Sequence, residues 1–159
     1  MTLGKIDVGT DISLQKIVEG RLLIQGNSGS GKSVIVRDIL EESYGKLMFI
    51  LLDIEGEYYT LREKYPDIII MGGGAGDVGL HPRAAPLLPR KIMEERVPTI
   101  LDVSDMRAKD RVLFVKQFLE ALLELPKELR MPCLVVVEEA HKFAGQQELQ
   151  DSTWAVIDL

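Results

Sequence analysis

The sequence predicts an α/β fold with a largely parallel sheet and helices on both of its faces. Short apolar runs recur along the 159 residues, and segments with helical spacing separate them. None of these runs alternates apolar with polar residues, which is typical of strands covered on both faces. Regular alternation of strands and helices favours a parallel sheet. The predicted strands are residues 21–25, 47–52, 67–71, 98–103 and 133–138.

The first predicted strand leads directly into a phosphate-binding loop. Residues 26–33 read GNSGSGKS, which matches the P-loop pattern G-x-x-x-x-G-K-S/T. Residues 34–40 have the apolar spacing of a helix packed on a sheet. The motif therefore has the strand–loop–helix context that makes it specific. The candidate nucleotide-binding residues are Gly26, Asn27, Ser28, Gly29, Ser30, Gly31, Lys32, Ser33 and Val34.

The residue types of this loop suit a nucleoside triphosphate and its metal ion. Glycines allow the backbone to curl so that successive N–H groups point at one anion, and the following helix adds its positive end. Lys32 is expected to contact the β- and γ-phosphates and to take part in catalysis, and the Ser33 hydroxyl is expected to bind Mg²⁺. The sequence therefore predicts ATP and Mg²⁺ as cofactors.

The last predicted strand ends in two adjacent carboxylates, Glu138 and Glu139. This is the Walker B pattern, in which a strand delivers acids to the carboxyl edge of the sheet beside the P-loop. Glu138 is expected to hold Mg²⁺, because hard oxygen ligands suit that ion. Glu139 is expected to orient and deprotonate the attacking water as a general base.

A third acid, Asp53, follows the second predicted strand at the same edge of the sheet. It opens the segment DIEGEY at residues 53–58. In one interpretation Asp53 is a turn residue before Gly56. In the other, its carboxylate lies near the γ-phosphate or the attacking water. The residues by themselves leave both interpretations open.

The clearest helix prediction covers residues 108–125, and either Ser104 or Asp105 is expected to cap its start. Residues 72–90 are rich in glycine and proline and predict a connection. Because no lysine follows the glycine run, a flexible connection is favoured over a second phosphate loop. Residues 146–159 have a helical pattern. The apolar stripe predicted for the 108–125 helix consists of Val112, Val115, Phe118, Leu119 and Leu122.

Composition and charge indicate a cytoplasmic globular protein of one domain, residues 1–159. No apolar run approaches the ~20 residues that span a bilayer, so no membrane contact is expected. A single cysteine, Cys133, fits a reducing compartment and a place in the core. The net charge of −6 argues against a protein that covers nucleic acid with a broadly basic surface. It allows a local contact with DNA. His81 and His141 lack the spacing of a zinc site.

Three ordered motifs resemble those of the HerA/FtsK superfamily of P-loop ATPases, above all the HerA-type DNA helicases and translocases. The first is the P-loop at residues 26–33, the second is DIEGEY at 53–58, and the third is VVEEAHKF at 136–143. The second and third motifs discriminate, because a P-loop occurs in many families. The likeness extends loosely over nearly the whole chain.

The resemblance implies a RecA-like core that hydrolyses ATP with Mg²⁺ as a homo-hexameric ring on double-stranded DNA. It also implies a DNA-end-processing nuclease as a partner. In the family the acid that matches Asp53 belongs to the active site, so Asp53 joins Glu139 and Lys32 as a candidate catalytic residue. The further strands, polar sensor and arginine fingers of the family have no counterpart in residues 1–159. We therefore expect a core that lacks the C-terminal strands, binds ATP and hydrolyses it slowly.

Two alternatives to a HerA-type DNA translocase stay open. A nucleotide-binding module with little turnover would use ATP as a structural or assembly ligand, and the lack of a candidate arginine finger favours it. A small-molecule kinase also uses a P-loop, but it needs an arginine-bearing lid, for which only the loop around Arg83 is available. The adjacent carboxylates of Glu138 and Glu139 suit water activation better than transfer to a bound acceptor.

Overall fold

A parallel sheet forms the centre of this protein. The computed structural model describes residues 5–7, 11–13, 16–17 and 19–142. The order of the strands in this sheet is β4-β5-β3-β6. Before it in the chain, two short strands pair with each other as antiparallel neighbours. The strands are Lys5–Asp7 (β1), Asp11–Ser13 (β2), Met48–Asp53 (β3), Ile69–Gly72 (β4), Thr99–Asp102 (β5) and Cys133–Val137 (β6).

Helices pack on both faces of this sheet. Successive residues of β3 enter two different hydrophobic clusters, Ile50 with the helix that contains Phe114 and Leu51 with the helix that contains Leu40. Side chains alternate between the two faces of a strand. The predicted class, a parallel sheet between two layers of helices, is confirmed. The helices are Lys32–Ser43 (α1), Leu61–Lys64 (α2), Leu88–Glu95 (α3) and Ala108–Leu123 (α4), with 3₁₀ turns at Pro82–Ala84, Lys127–Leu129 and Ala140–Lys142.

The register of the sheet brings the acidic strand ends together. Asp53 pairs with Asp102 of β5 on one side, and Leu52 pairs with Val137 of β6 on the other. The pairing with β6 continues past the strand, because the Glu138 N–H donates to the Leu52 carbonyl at 3.2 Å. The carboxyl ends of three neighbouring strands therefore lie at one edge of the sheet.

The strand predicted at residues 21–25 is wrong. This segment has no regular secondary structure, and no described strand pairs with it. Leu22 and Ile24 pack partly against the core, whereas Leu23 is 52% exposed. A strand needs a neighbouring backbone for its hydrogen bonds, and apolar composition alone does not supply one.

Helix α4 differs from the prediction in its apolar stripe and its cap. Val112 is 39% exposed, and Phe114 is fully buried instead. The helix also ends slightly before the predicted end. Arg107 occupies the N-cap position without a side-chain cap, so the prediction of Ser104 or Asp105 as the cap is wrong. The helix predicted at residues 146–159 lies outside the described residues.

The glycine-rich connection after β4 is hydrogen-bonded back onto that strand, and its flexibility stays a prediction. The Asp77 carboxylate accepts a hydrogen bond from the Ile70 N–H at 2.9 Å and pairs with Arg62. The Gly72 N–H donates to the Val78 carbonyl at 2.8 Å. These bonds fold residues 72–78 back onto β4, at the same edge of the sheet as the acids.

Candidate nucleotide-binding site

The P-loop residues form an exposed, curled loop that leads into α1. Gly29 and Gly31 have φ angles of 77° and 87°, a left-handed conformation that residues with a side chain rarely adopt. Gly31 is the N-cap of the 12-residue helix α1, and its carbonyl accepts from the Ile35 N–H at 3.1 Å. The free N–H groups of the first turn follow directly on the loop, which is the arrangement that binds phosphates.

Lys32 bends back over the loop that precedes it. Its Nζ donates to the Gly26 carbonyl at 3.0 Å and to the Asn27 carbonyl at 3.2 Å. The positive charge is thus held beside the curled backbone. Because hydrogen bonds between charged groups are stronger than those to neutral carbonyls, a phosphate could replace these contacts. Val34, in the first turn of α1, is 61% exposed.

Asp53 closes the loop formed by the DIEGEY motif. Its Oδ1 accepts from the Gly56 N–H at 2.8 Å, and its Oδ2 accepts from the Tyr58 N–H at 3.0 Å. The side chain is buried, and both of its oxygens are engaged with backbone. This geometry matches the turn-residue interpretation. A direct role of Asp53 in catalysis stays a prediction.

Glu138 lies half-buried against Asp53. Burial first, and then the negative charge of Asp53, raise the pKa of the Glu138 carboxyl to about 7. Near neutral pH the Glu138 carboxyl is therefore partly protonated. A bound divalent cation would favour its ionised form, because the charge of the cation offsets that of the carboxylate.

Glu139 has a different environment from its neighbour. Its φ of 46° is left-handed, which is uncommon for a residue with a side chain. The Lys142 N–H donates to the Glu139 carbonyl at 2.8 Å and closes the turn after β6. The Glu139 Oε2 lies 3.2 Å from the Nδ1 of His141. The two adjacent acids thus have separate partners, which suits separate roles.

Side chains connect the three sequence motifs directly. Arg37 of α1 donates to the Glu57 carbonyl at 3.3 Å, and its guanidinium lies 5.8 Å from the centroid of the Tyr58 ring. Lys142, after the Walker B acids, forms an ion pair with Glu55. This pair lowers the pKa of the Glu55 carboxyl. The DIEGEY loop is therefore held between the P-loop helix and the turn after β6.

Mg²⁺ fits the oxygen atoms that the site offers. The Glu138 Oε2 is buried and has no hydrogen-bond partner among the described residues. The Ser33 hydroxyl lies beside the same tyrosine, Tyr58, as Glu138 does. No three His, Cys, Asp or Glu side chains within the described residues could hold a metal together. Mg²⁺ tolerates such a site, since it binds few protein oxygens and takes the rest from phosphates and water.

Three residues at this edge were missed by the sequence reasoning: Tyr58, Asp102 and His141. Asp102 is buried, and its Oδ1 accepts from the Ser104 N–H at 2.9 Å and from the Ser104 hydroxyl at 2.5 Å. Its position at the end of a predicted strand was a signal that could have identified it. The contacts of Tyr58 and His141 had no such signal, because they depend on how the segments meet.

The family model described as "Helicase HerA, central domain" matches residues 2–150. The chain belongs to this family. The searches of curated proteins and of solved structures found no significant match. Family membership confirms the resemblance drawn from the three motifs.

The HerA family assigns the chain to the P-loop ATPases, which bind a nucleotide and usually Mg²⁺. It does not by itself assign a role to any single residue. None of the helices in the described ranges is long and apolar enough to span a bilayer. The family implies a class of ligand, and the residues that would bind it are the subject of the proposals below.

Proposed function

We propose that this chain is the ATP-binding and ATP-hydrolysing core of a HerA-type translocase that acts on double-stranded DNA. One observation carries the proposal: Ser33 of the P-loop helix and Glu138 of β6 both lie beside the Tyr58 hydroxyl of the second motif. The elements proposed to bind phosphate and metal thus meet at one point, as hydrolysis of a nucleotide requires.

Each group at this point has a proposed task. Lys32 and the curled loop bind the phosphates, and Ser33 and Glu138 hold Mg²⁺, which neutralises charge on the phosphates when bound. Glu139 accepts a proton from the attacking water. His141, 3.2 Å from Glu139, orients that carboxylate. Asp53 keeps the DIEGEY loop closed through its two backbone hydrogen bonds.

The proposed partners rest on the family rather than on a described surface. A homo-hexameric ring, double-stranded DNA and a DNA-end-processing nuclease are what the HerA likeness supports. The net charge of −6 fits a contact with DNA through a few local groups. It does not favour a broad basic surface.

Nucleotide binding is tested by calorimetry of ATP with Mg²⁺ on the wild type and on Lys32→Ala. Loss of the charge on the phosphates is expected to weaken binding by about 1.5–3 kcal/mol, the scale of a hydrogen bond to a charged group. Lys46→Ala is the matched control, because Lys46 is an exposed lysine that pairs with Glu42. Its affinity should stay within about 0.5 kcal/mol of the wild type. Equal affinity of wild type and Lys32→Ala would contradict the site.

The translocase function is tested by hydrolysis measured with protein in excess over ATP, which detects slow turnover. Hydrolysis is expected to be slow, and neither duplex DNA nor a higher protein concentration should raise the rate, because residues 1–159 contain no counterpart of the family's arginine fingers. Single-stranded DNA of the same length is the control, and several turnovers per second with duplex DNA would contradict this expectation. Binding without hydrolysis under all conditions would favour the nucleotide-binding module. Transfer of the γ-phosphate to a small molecule instead of water would favour the kinase.

A further inference from the structure

The Tyr58 hydroxyl is buried at the candidate site, and none of the tasks above uses it. Only 1% of the residue's surface is exposed. Its oxygen has no hydrogen-bond partner within the described part of the chain. Burying a hydroxyl without a partner is unfavourable, and phenylalanine would fill the same apolar space without that penalty. Such a group in a binding site calls for a functional explanation.

The position of this hydroxyl is fixed from both ends of the residue. The Tyr58 N–H donates to the Asp53 Oδ2 at 3.0 Å. The Arg37 guanidinium lies over the ring, 5.8 Å from its centroid. The ring also packs in the hydrophobic cluster that contains Leu40 and Leu61. The oxygen is therefore held in one place by the backbone, the cation and the core.

Two side chains lie beside the hydroxyl, Ser33 and Glu138, and both act on its pKa. Neither contact has the geometry of a hydrogen bond, and the Glu138 Oε2 is itself a buried oxygen without a partner among the described residues. These two neighbours are the residues proposed to hold Mg²⁺. The hydroxyl thus lies near both of the proposed metal ligands.

We propose that Tyr58 is a positioning residue that accepts a hydrogen bond from the Ser33 hydroxyl and donates one to the Glu138 carboxylate. A tyrosine hydroxyl can do both at once, because it has one proton and free lone pairs. A serine oxygen that binds a cation must direct its proton elsewhere, and the Tyr58 oxygen is a neighbouring acceptor. The inference rests on the proposed function, since it concerns ATP bound with Mg²⁺.

The test compares Tyr58→Phe with the wild type and with Tyr59→Phe. Tyr59 is the matched control, because it is the adjacent tyrosine and is 47% exposed. ATP affinity is measured without Mg²⁺ and over a series of Mg²⁺ concentrations, and thermal unfolding is measured without nucleotide. Tyr58→Phe should bind metal-free ATP like the wild type but need about 10–100-fold more Mg²⁺ for the same gain in affinity. Its melting temperature should equal or exceed that of the wild type.

Two results would overturn the positioning role while leaving ATP binding intact. One is a Mg²⁺ dependence of Tyr58→Phe that matches the wild type. The other is a lowered melting temperature with an equal loss of metal-free ATP binding, which would assign the hydroxyl to the fold. Failure of the wild type to bind ATP with Mg²⁺ would instead reject the proposed function, and the inference with it.

Discussion

The P-loop and the acidic edge of the sheet form two sides of one candidate site, but their backbones are held in different ways. Residues 26–30 are all exposed, and a Cβ added at Gly29 would meet nothing within 4 Å. At the acidic edge, Asp53 and Asp102 are buried and accept hydrogen bonds from the backbone. A Cβ added at Gly73 would lie 1.9 Å from the Asp102 carboxylate.

This difference indicates how the two sides would meet a nucleotide. The acids are fixed in place by burial and by short loops, so their arrangement exists before a ligand arrives. In the proposed site, the P-loop would bind through backbone N–H groups and Lys32, and its exposed backbone leaves room for a ligand to adjust it. We expect substitutions at the acidic edge to affect chemistry or the fold, and substitutions in the P-loop to affect mainly binding.

The largest expected effect comes from Glu139→Gln, which keeps the shape of the side chain and removes the base. Hydrolysis of bound ATP should slow by about 10²–10⁴-fold, the usual contribution of a general base. ATP affinity should change little, because the P-loop is untouched. A rapid-quench assay with protein in excess measures the rate, and Glu128→Gln, at an exposed acid elsewhere, is the control. Unchanged hydrolysis would move the role to another group, and Asp53 would be tested next.

The contrast in packing predicts a graded effect of alanine at three glycines. Gly73 has a φ of 62° and touches Asp102, so Gly73→Ala should lower the free energy of unfolding by about 2–4 kcal/mol through strain and overpacking. Gly29→Ala should cost only the strain, about 1–2 kcal/mol. Gly74→Ala should stay within about 0.5 kcal/mol of the wild type, since no atom lies within 4 Å of its added Cβ.

Denaturant unfolding of the three variants gives these free energies. The order Gly73, Gly29, Gly74 is the expected result. If Gly73→Ala were as stable as Gly74→Ala, the backbone after β4 would be able to shift away from Asp102 at little cost in free energy. The acidic edge would then be no more rigid than the P-loop.

The smallest expected effect is a dependence of stability on pH that arises from Glu138. Its pKa is raised in the folded chain from 4.5 to about 7, by burial first and by Asp53 second. The folded state therefore keeps a proton that the unfolded chain releases above about pH 4.5, so stability falls as pH rises from about 4.5 to about 7 and levels off above that range. Between about pH 5 and about pH 8 we expect a loss of about 1–2 kcal/mol, reduced by solvent access to the group.

Unfolding by urea in the presence of a chelator measures this loss. Glu138→Gln should flatten the profile over the same range, because the amide does not titrate. Glu128→Gln should leave the slope of the wild type unchanged. If Glu138→Gln kept the full slope, the pH dependence would belong to another group, and the paired environment of Glu138 and Asp53 would be in doubt.

Local patterns in the sequence were sufficient to predict the strands that helices cover on both faces. They failed to predict the structure of the segment before the P-loop. Strands β3, β5 and β6 are apolar on both faces, and a parallel sheet between helices requires such strands. Residues 21–25 also contain an apolar run, Leu22 to Ile24, but a strand needs a neighbour with free backbone groups. Composition does not show that neighbour, so the prediction there was wrong.

The candidate site also contains residues that sequence spacing can predict and residues that it cannot. The P-loop and the Walker B acids are contiguous in sequence and could be identified from their spacing. The two interpretations of Asp53 could not be separated, because its partners are backbone N–H groups whose direction depends on the fold of the DIEGEY loop. The contact of His141 with Glu139 requires a left-handed turn at Glu139 itself, which no residue type in that segment indicates.

The pairing of β3 with β6 also has a consequence for how the chain folds. Leu52 and Val137 are neighbours in the sheet although about 85 residues separate them in sequence. Contacts of such high sequence separation form slowly, since the loop between them must close first. During synthesis the P-loop leaves the ribosome well before Glu138 and Glu139. Affinity for ATP with Mg²⁺ would then report on the docking of β6, which is a late event in the formation of this sheet.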